Sequence, residues 1–86
     1  MKYLITIEKS AQKHVAYFEK KDRVIFNKIL DLFDEISRHP FDGIGKPEPL
    51  KFELAGYWSR RITREHRMVY RVVGGEVRVL SCRYHY

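Results

Sequence analysis

A chain of 86 residues, 44% hydrophobic and 33% charged, excludes a disordered protein and is too short for two domains, so we expect a single domain over residues 1–86. Lys and Arg total 17 against 11 for Asp and Glu, and this excess favours a polyanionic partner, although positive charge also serves solubility alone. One cysteine, Cys82, excludes an intramolecular disulfide, and no Cys/His spacing resembles a zinc site, so we expect no metal and no cofactor.

The N-terminal segment predicts a strand. Residues 3–7 read Tyr-Leu-Ile-Thr-Ile, a β-branched and aromatic run typical of a strand. Glu8 ends this apolar stretch long before it reaches the length of a signal or membrane segment. We therefore expect a cytoplasmic protein with no membrane partner.

Two helices are predicted next. Apolar residues recur at helical spacing at Ile7, Ala11, Val15 and Phe18, with polar residues between them. Asp22 is a suitable N-cap for a second helix, which Pro40 should end near residues 38–39. The predicted apolar stripe of this second helix consists of Phe26, Ile29, Leu30, Phe33 and Ile36.

Residues 41–49, Phe-Asp-Gly-Ile-Gly-Lys-Pro-Glu-Pro, predict an irregular loop, because two glycines and two prolines disfavour regular structure. Loops of this length in a small domain are often functional. The prolines on either side of Glu48 restrict its backbone and can hold its carboxylate in a defined direction.

The remaining chain alternates with the period of strands. Apolar residues alternate over residues 50–54, 58–62, 68–72 and from Val77 onward. Gly74-Gly75 is typical of a tight hairpin turn, and residues 64–66 mark a second turn. The predicted order is β-α-α-β-β-β-β, an α+β fold with two N-terminal helices packed on one face of an antiparallel sheet.

The sheet face away from the helices is predicted to be cationic. Alternation directs Met68, Tyr70 and Val72 toward the helices and leaves Arg67, Val69 and Arg71 on the other face, together with Ser81, Arg83 and His85 of the last strand. Residues 57–67 contain four arginines and one glutamate, an imbalance that favours contact with RNA phosphates over an ordinary solvated surface.

Cleaving RNA without a metal requires a base for the 2′-hydroxyl, an acid for the departing 5′-oxygen and a cation for the crowded phosphate. Glu48, His85 and Arg67 are candidates for these roles. The pattern alone favours a solvated glutamate and a histidine without a catalytic role.

Four sequence blocks resemble the YoeB (Txe) toxins of the RelE superfamily. The blocks are Gly45-Lys46-Pro47-Glu48-Pro49-Leu50-Lys51, Gly56-Tyr57-Trp58-Ser59-Arg60-Arg61-Ile62-Thr63, Glu65-His66-Arg67 followed by Val69-Tyr70, and Cys82-Arg83-Tyr84-His85-Tyr86. The likeness covers Phe41 to Tyr86 at motif level, while the N-terminal helices are similar only in pattern.

The resemblance implies a ribosome-dependent mRNA interferase that cuts mRNA in the A site and contacts ribosomal RNA. It implies Glu48 as general base, Arg67 as the phosphate-stabilising residue and His85 as general acid, with Tyr86 holding the substrate base. Lys51 and Arg61 match further basic positions of the site. Arg61 shares the face of Arg67 only if the hairpin loop between them has an odd number of residues.

The resemblance also implies a cognate antitoxin protein, and operator DNA bound only through that antitoxin; a homodimer is compatible with it. Two other classes remain open at this point. One is a non-catalytic RNA- or ribosome-binding module that blocks translation sterically. The other is an interaction protein whose main partner is the antitoxin, a role compatible with catalysis.

Overall fold

The computed structural model describes residues 2–83, which form two helices and a five-stranded sheet. The elements are β1 (Leu4–Ile7), α1 (Lys9–Lys21), α2 (Arg23–Arg38), β2 (Glu48–Pro49), a 3₁₀ helix (Phe52–Leu54), β3 (Trp58–Arg61), β4 (Arg67–Val73) and β5 (Glu76–Ser81). The strand order is β1-β5-β4-β3-β2, with β1 parallel to β5 and the other neighbours antiparallel. The predicted α+β fold is confirmed, and the parallel β1–β5 pair makes the sheet mostly rather than wholly antiparallel.

The helices bury their apolar faces against the strands. The buried cluster joins Ala11 and Phe18 of α1 to three residues of α2 and to the inward side chains of β4 and β5. In α2 the buried apolar positions are Ile29, Leu32 and Ile36, which recur at three- and four-residue spacing. The prediction for Leu30 is wrong: it is 45% exposed, because it follows Ile29 by about 100° around the helix and the stripe continues at Leu32 instead.

The N-terminus of α2 is capped as predicted. The Asp22 carboxylate accepts a hydrogen bond of 3.2 Å from the backbone N–H of Ile25. The helix ends at Arg38, before Pro40.

Asp22→Ala should lower the free energy of unfolding by about 1 kcal/mol, because it removes the acceptor for an otherwise unsatisfied helix N–H. In a domain of this size that loss lowers Tm by roughly 4–8 °C. Asp31→Ala, at an exposed position in the middle of α2, is the control and should change stability by less than about 0.5 kcal/mol. Thermal denaturation of both variants is the measurement, and equal Tm values would contradict the capping role.

The predicted strand over residues 50–54 is wrong. The register pairs with β3 are formed by Glu48 and Pro49, inside the segment predicted as an irregular loop. The chain then forms the 3₁₀ helix, in which the Leu54 N–H donates to the Lys51 carbonyl at 3.1 Å. Phe52 has φ +58°, which is incompatible with an extended strand, and its side chain is 87% exposed. The alternation of apolar residues over 50–54 therefore coincides with a tight turn and not with a strand.

A β-bulge shifts the alternation of β5. Tyr70 pairs with Val79 and Val69 pairs with Ser81, so Leu80 is the extra residue. The bulge allows Val77, Val79 and Cys82 to share the buried cluster while Ser81 stays beside Val69. Val69 lies on the face away from the helices yet is fully buried, so part of this face is covered.

Both predicted turns are present, one between β4 and β5 at residues 74–75 and one between β3 and β4 at residues 62–66. Within residues 2–83, no helix is long and apolar enough to cross a membrane.

Candidate active site

Three neighbouring strands bring Glu48 and Arg67 together on the face away from the helices. Glu48 of β2 pairs with Ser59 of β3, and β3 pairs with β4, which begins at Arg67. The Arg67 Nη1 atom lies 3.2 Å from Glu48 Oε1 and donates a hydrogen bond of 2.9 Å to Ser59 Oγ. The Arg67 side chain is 19% exposed and that of Glu48 57%. A solvent-facing carboxylate therefore lies beside a largely buried cation, which suits proton acceptance next to a phosphate.

Ser59 is a site residue that sequence reasoning missed. Its side chain is buried, and its hydroxyl accepts the hydrogen bond from Arg67. The same Nη1 atom contacts Glu48, so Ser59 and Glu48 together hold one end of the guanidinium. In the sequence, Ser59 is marked only by its alternation with Arg61, which places both side chains on one face of the strand. The pairing of β3 with β4 is needed to show that this face also carries Arg67.

Arg61 shares the face of Arg67. The two residues are directly opposite each other in β3 and β4, and the loop between them spans residues 62–66, an odd number. Arg61 is exposed. Lys51 is also exposed and precedes the 3₁₀ helix, two residues after β2 ends. His85 and Tyr86, predicted to act with them, lie outside the described residues.

Arg60 is not part of the cationic face, contrary to the inference from arginine content. It is fully buried, and its Nη2 donates to the carbonyls of His39 at 2.8 Å and Asp42 at 2.9 Å and to the Tyr70 hydroxyl at 3.3 Å. The Tyr70 hydroxyl donates to the Pro40 carbonyl at 2.7 Å, and burial raises the pKa of Tyr70 despite the adjacent Arg60. Arg60 and Tyr70 thus hold the chain that leads into Glu48.

The remaining arginines of the sheet divide between two environments. Arg71 lies over the ring of Tyr57 at 5.5 Å from its centre. Arg78 is opposite Arg71 in β5, and its Nε donates to Glu76 Oε1 at 2.6 Å. This hydrogen bond, followed by one from Thr6, lowers the pKa of Glu76. Arg71 therefore extends the cationic face, whereas the charge of Arg78 is paired.

Arg83 is placed differently from the prediction. The strand β5 ends at Ser81, so the alternation does not continue to Arg83. Its guanidinium carbon lies 3.8 Å from the centre of the Tyr17 ring of α1. The side chain therefore contacts the helical layer instead of the face that carries Arg67.

Cys82 is buried and has no disulfide partner, and its burial raises the pKa of the thiol to about 12. At neutral pH the thiol is therefore protonated and inert. Among residues 2–83, no three His, Cys, Asp or Glu side chains are grouped so as to hold a metal ion.

Comparison with known proteins identifies relatives over nearly the whole chain. The model of YoeB-like toxins of bacterial type II toxin-antitoxin systems matches residues 7–86. Toxin YoeB of Synechocystis sp. is 51% identical over 70 residues, which cover 81% of each protein.

Solved structures show the same fold. A YoeB/ParE toxin from Agrobacterium tumefaciens superposes with a TM-score of 0.91 at 45% identity, over 96% of this chain and 99% of that one. The toxin of a YoeB dimer from Staphylococcus aureus gives 0.90 at 42% identity, and that of a heterotetrameric YoeB-YefM toxin-antitoxin complex from the same organism gives 0.88 at 42%, each over 100% of both chains. The RelBE2 toxin-antitoxin complex of Mycobacterium tuberculosis, at 22% identity and a TM-score of 0.78, shares the fold over 99% of this chain and 100% of that one.

Proposed function

This chain belongs to the YoeB-like toxins of bacterial type II toxin-antitoxin systems, and from that premise we propose that it is a ribosome-dependent endoribonuclease that cuts mRNA in the A site and so inhibits translation. The observation that carries the proposal is the Glu48–Arg67 pair, held at 3.2 Å with Ser59 behind it on the cationic face. A carboxylate and a fixed cation in contact supply two of the three groups that the reaction requires.

In the proposed mechanism Glu48 removes the proton of the 2′-hydroxyl, whose oxygen then attacks the adjacent phosphorus. Arg67 stabilises the negative charge of the pentacovalent phosphate, and its bond to Ser59 keeps the guanidinium in place for a bidentate contact. The bond to the 5′-oxygen breaks as His85 gives that oxygen a proton. The products are a 2′,3′-cyclic phosphate and a 5′-hydroxyl, and no metal takes part. We place Lys51, Arg61 and Tyr86 at the substrate, the first two as phosphate contacts and Tyr86 against the base.

The proposed partners follow from the same family membership. They are mRNA, ribosomal RNA at the A site, and a cognate antitoxin like the one bound in the YoeB-YefM complex. Operator DNA would be reached only through that antitoxin. The YoeB dimer of S. aureus supports a homodimer of the free toxin. A cytoplasmic location is the one consistent with these partners.

Primer extension on an mRNA in a purified translation system tests the proposal. The wild type should produce cuts within the codon in the A site when ribosomes translate the message, and no cuts in the same mRNA without ribosomes. Equal cutting of free mRNA would contradict ribosome dependence. A message that stays intact while ribosomes stall on it would point to a non-catalytic blocker.

Binding to free single-stranded RNA should be weak and strongly salt-dependent, because Lys51, Arg61, Arg67 and Arg71 would contact phosphates without reading bases. With about four phosphates neutralised, log Kd should change with log salt with a slope of magnitude roughly 3, from about 0.7 per phosphate. Fluorescence anisotropy with a labelled oligonucleotide measures this. A slope near zero would show that the arginines do not meet RNA.

A further inference from the structure

Three polar side chains of α1 contact the chain just where β5 ends. The Ser10 hydroxyl donates to the Leu80 carbonyl at 2.6 Å. His14 Nδ1 accepts a hydrogen bond of 3.1 Å from the Cys82 N–H. The Tyr17 ring lies under the Arg83 guanidinium at 3.8 Å.

The three contacts are made from one face of α1. Positions 10, 14 and 17 follow the i, i+4, i+7 pattern of a single helix face. Their partners at positions 80, 82 and 83 follow in the same order along the outgoing chain. One helix face therefore follows the chain from the bulge at Leu80 through the end of β5 to Arg83.

The bulge contributes to this arrangement. Because Leu80 is the extra residue of β5, the regular pairing with β4 is interrupted at this point. The carbonyl of Leu80 accepts a hydrogen bond from the Ser10 hydroxyl. The N–H of Cys82, beyond the last residue of β5, is bound by His14.

His14 is suited to accept this hydrogen bond. Burial lowers the pKa of His14 below the usual value of a histidine. The charges of Arg83 and His66 lower it further. The ring therefore stays neutral at physiological pH, with its proton on Nε2 and Nδ1 free to accept from Cys82. If the ring were protonated, the N–H at Nδ1 would face the N–H of Cys82, and two donors cannot form a hydrogen bond with each other.

We propose that Ser10, His14 and Tyr17 form a clamp that fixes residues 80–83, and that the catalytic contribution of His85, two residues beyond Arg83 in the sequence, depends on this clamp. This inference rests on the proposed function. His14 is a positioning residue in this scheme and does not touch the substrate.

The test is a double-mutant cycle on ribosome-dependent cleavage. His14→Leu should lower kcat by about 10- to 100-fold with KM nearly unchanged, because releasing residues 80–83 should impair proton transfer by His85 and leave substrate binding intact. In a His85→Ala background the same change should have almost no further effect, since the group whose contribution depends on the clamp is absent. His14→Asn, which keeps an acceptor near the Nδ1 position, should retain most of the activity.

Tyr17→Leu and Tyr17→Phe test the third contact of the clamp. Tyr17→Leu removes the ring under Arg83 and should lower kcat, whereas Tyr17→Phe keeps a ring there and should not. Lys13→Leu is the matched control, an exposed neighbour on α1 changed to the same residue, and it should leave kcat unaltered. Faster hydrogen exchange of the Cys82 amide in His14→Leu, with Tm within a few degrees of the wild type, would show that the clamp has opened in a folded protein.

Two results would overturn the inference alone. One is an equal fall in kcat for His14→Leu with and without His85, which indicates a general loss of structure. The other is full activity of both His14→Leu and Tyr17→Leu. If the wild type does not cleave, or if His85→Ala cleaves normally, the proposed function itself is wrong and the clamp loses its catalytic role with it.

Discussion

Glu48→Gln should slow cleavage of ribosome-bound mRNA by about 10²- to 10⁴-fold, the usual contribution of a positioned general base. The amide keeps the size of the side chain and a hydrogen-bonding oxygen beside Arg67, but it cannot take a proton from the 2′-hydroxyl. Because the side chain is 57% exposed and its contacts are made at the surface, the fold should be unaffected. Single-turnover cleavage on ribosomes saturated with the protein is the measurement.

Glu53→Gln is the matched control. Glu53 is an exposed glutamate five residues further along, in the 3₁₀ helix, and its change should leave the rate within about twofold of the wild type. His85→Ala should show a loss as large as that of Glu48→Gln. Normal cleavage by Glu48→Gln would refute the assignment of the base, and an equal loss in Glu53→Gln would indicate an effect of charge alone.

Gly45→Ala should lower the free energy of unfolding by about 2–6 kcal/mol. Gly45 has φ +86°, and a Cβ there would lie 2.5 Å from Arg60 Cγ and 3.0 Å from the Arg61 carbonyl oxygen. The left-handed backbone costs about 1–3 kcal/mol for a residue with a side chain, and the overlap adds a cost of similar size. Denaturant unfolding measures the loss. Activity should fall with it, because this loop leads into Glu48.

Gly56→Ala separates the two costs. Gly56 has a similar φ of +93°, but a Cβ there would meet nothing within 4 Å. We therefore expect a loss of only about 1–3 kcal/mol, from the backbone alone. Equal losses in the two variants would show that the loop 41–49 is not packed against Arg60 as described.

Local patterns predicted most of the fold. The helix cap at Asp22, the end of α2 before Pro40 and the hairpin at residues 74–75 are each set by neighbouring residues, and all are confirmed. The 3₁₀ helix was missed because alternation of Leu50, Phe52 and Leu54 imitates a strand. The bulge at Leu80 was missed because it depends on pairing with β4, which a pattern within one strand does not contain.

The candidate site was predictable as a set of residue types and not as an arrangement. The Pro-flanked Glu48 and the arginine-rich strands were visible in the sequence, but the contact between Glu48 and Arg67 depends on the register of three strands. Register also decides that Arg61 faces the site while Arg60, its neighbour, is buried beneath the loop. The contact of Ser59 with Arg67 depends on the pairing of β3 with β4. The contacts of α1 with residues 80–83 join segments far apart in the chain, so no local signal pointed to them.

The chemical ends of the cut mRNA test the central claim most directly, because they report which bond broke and what attacked it. Fragments from a translation reaction with the wild type should carry a 2′,3′-cyclic phosphate or 3′-phosphate on the upstream piece and a 5′-hydroxyl on the downstream piece, as attack by the 2′-oxygen with Glu48 as base and His85 as acid requires. Fragments that end in a 3′-hydroxyl and a 5′-phosphate, or inhibited translation with the mRNA intact, would contradict it.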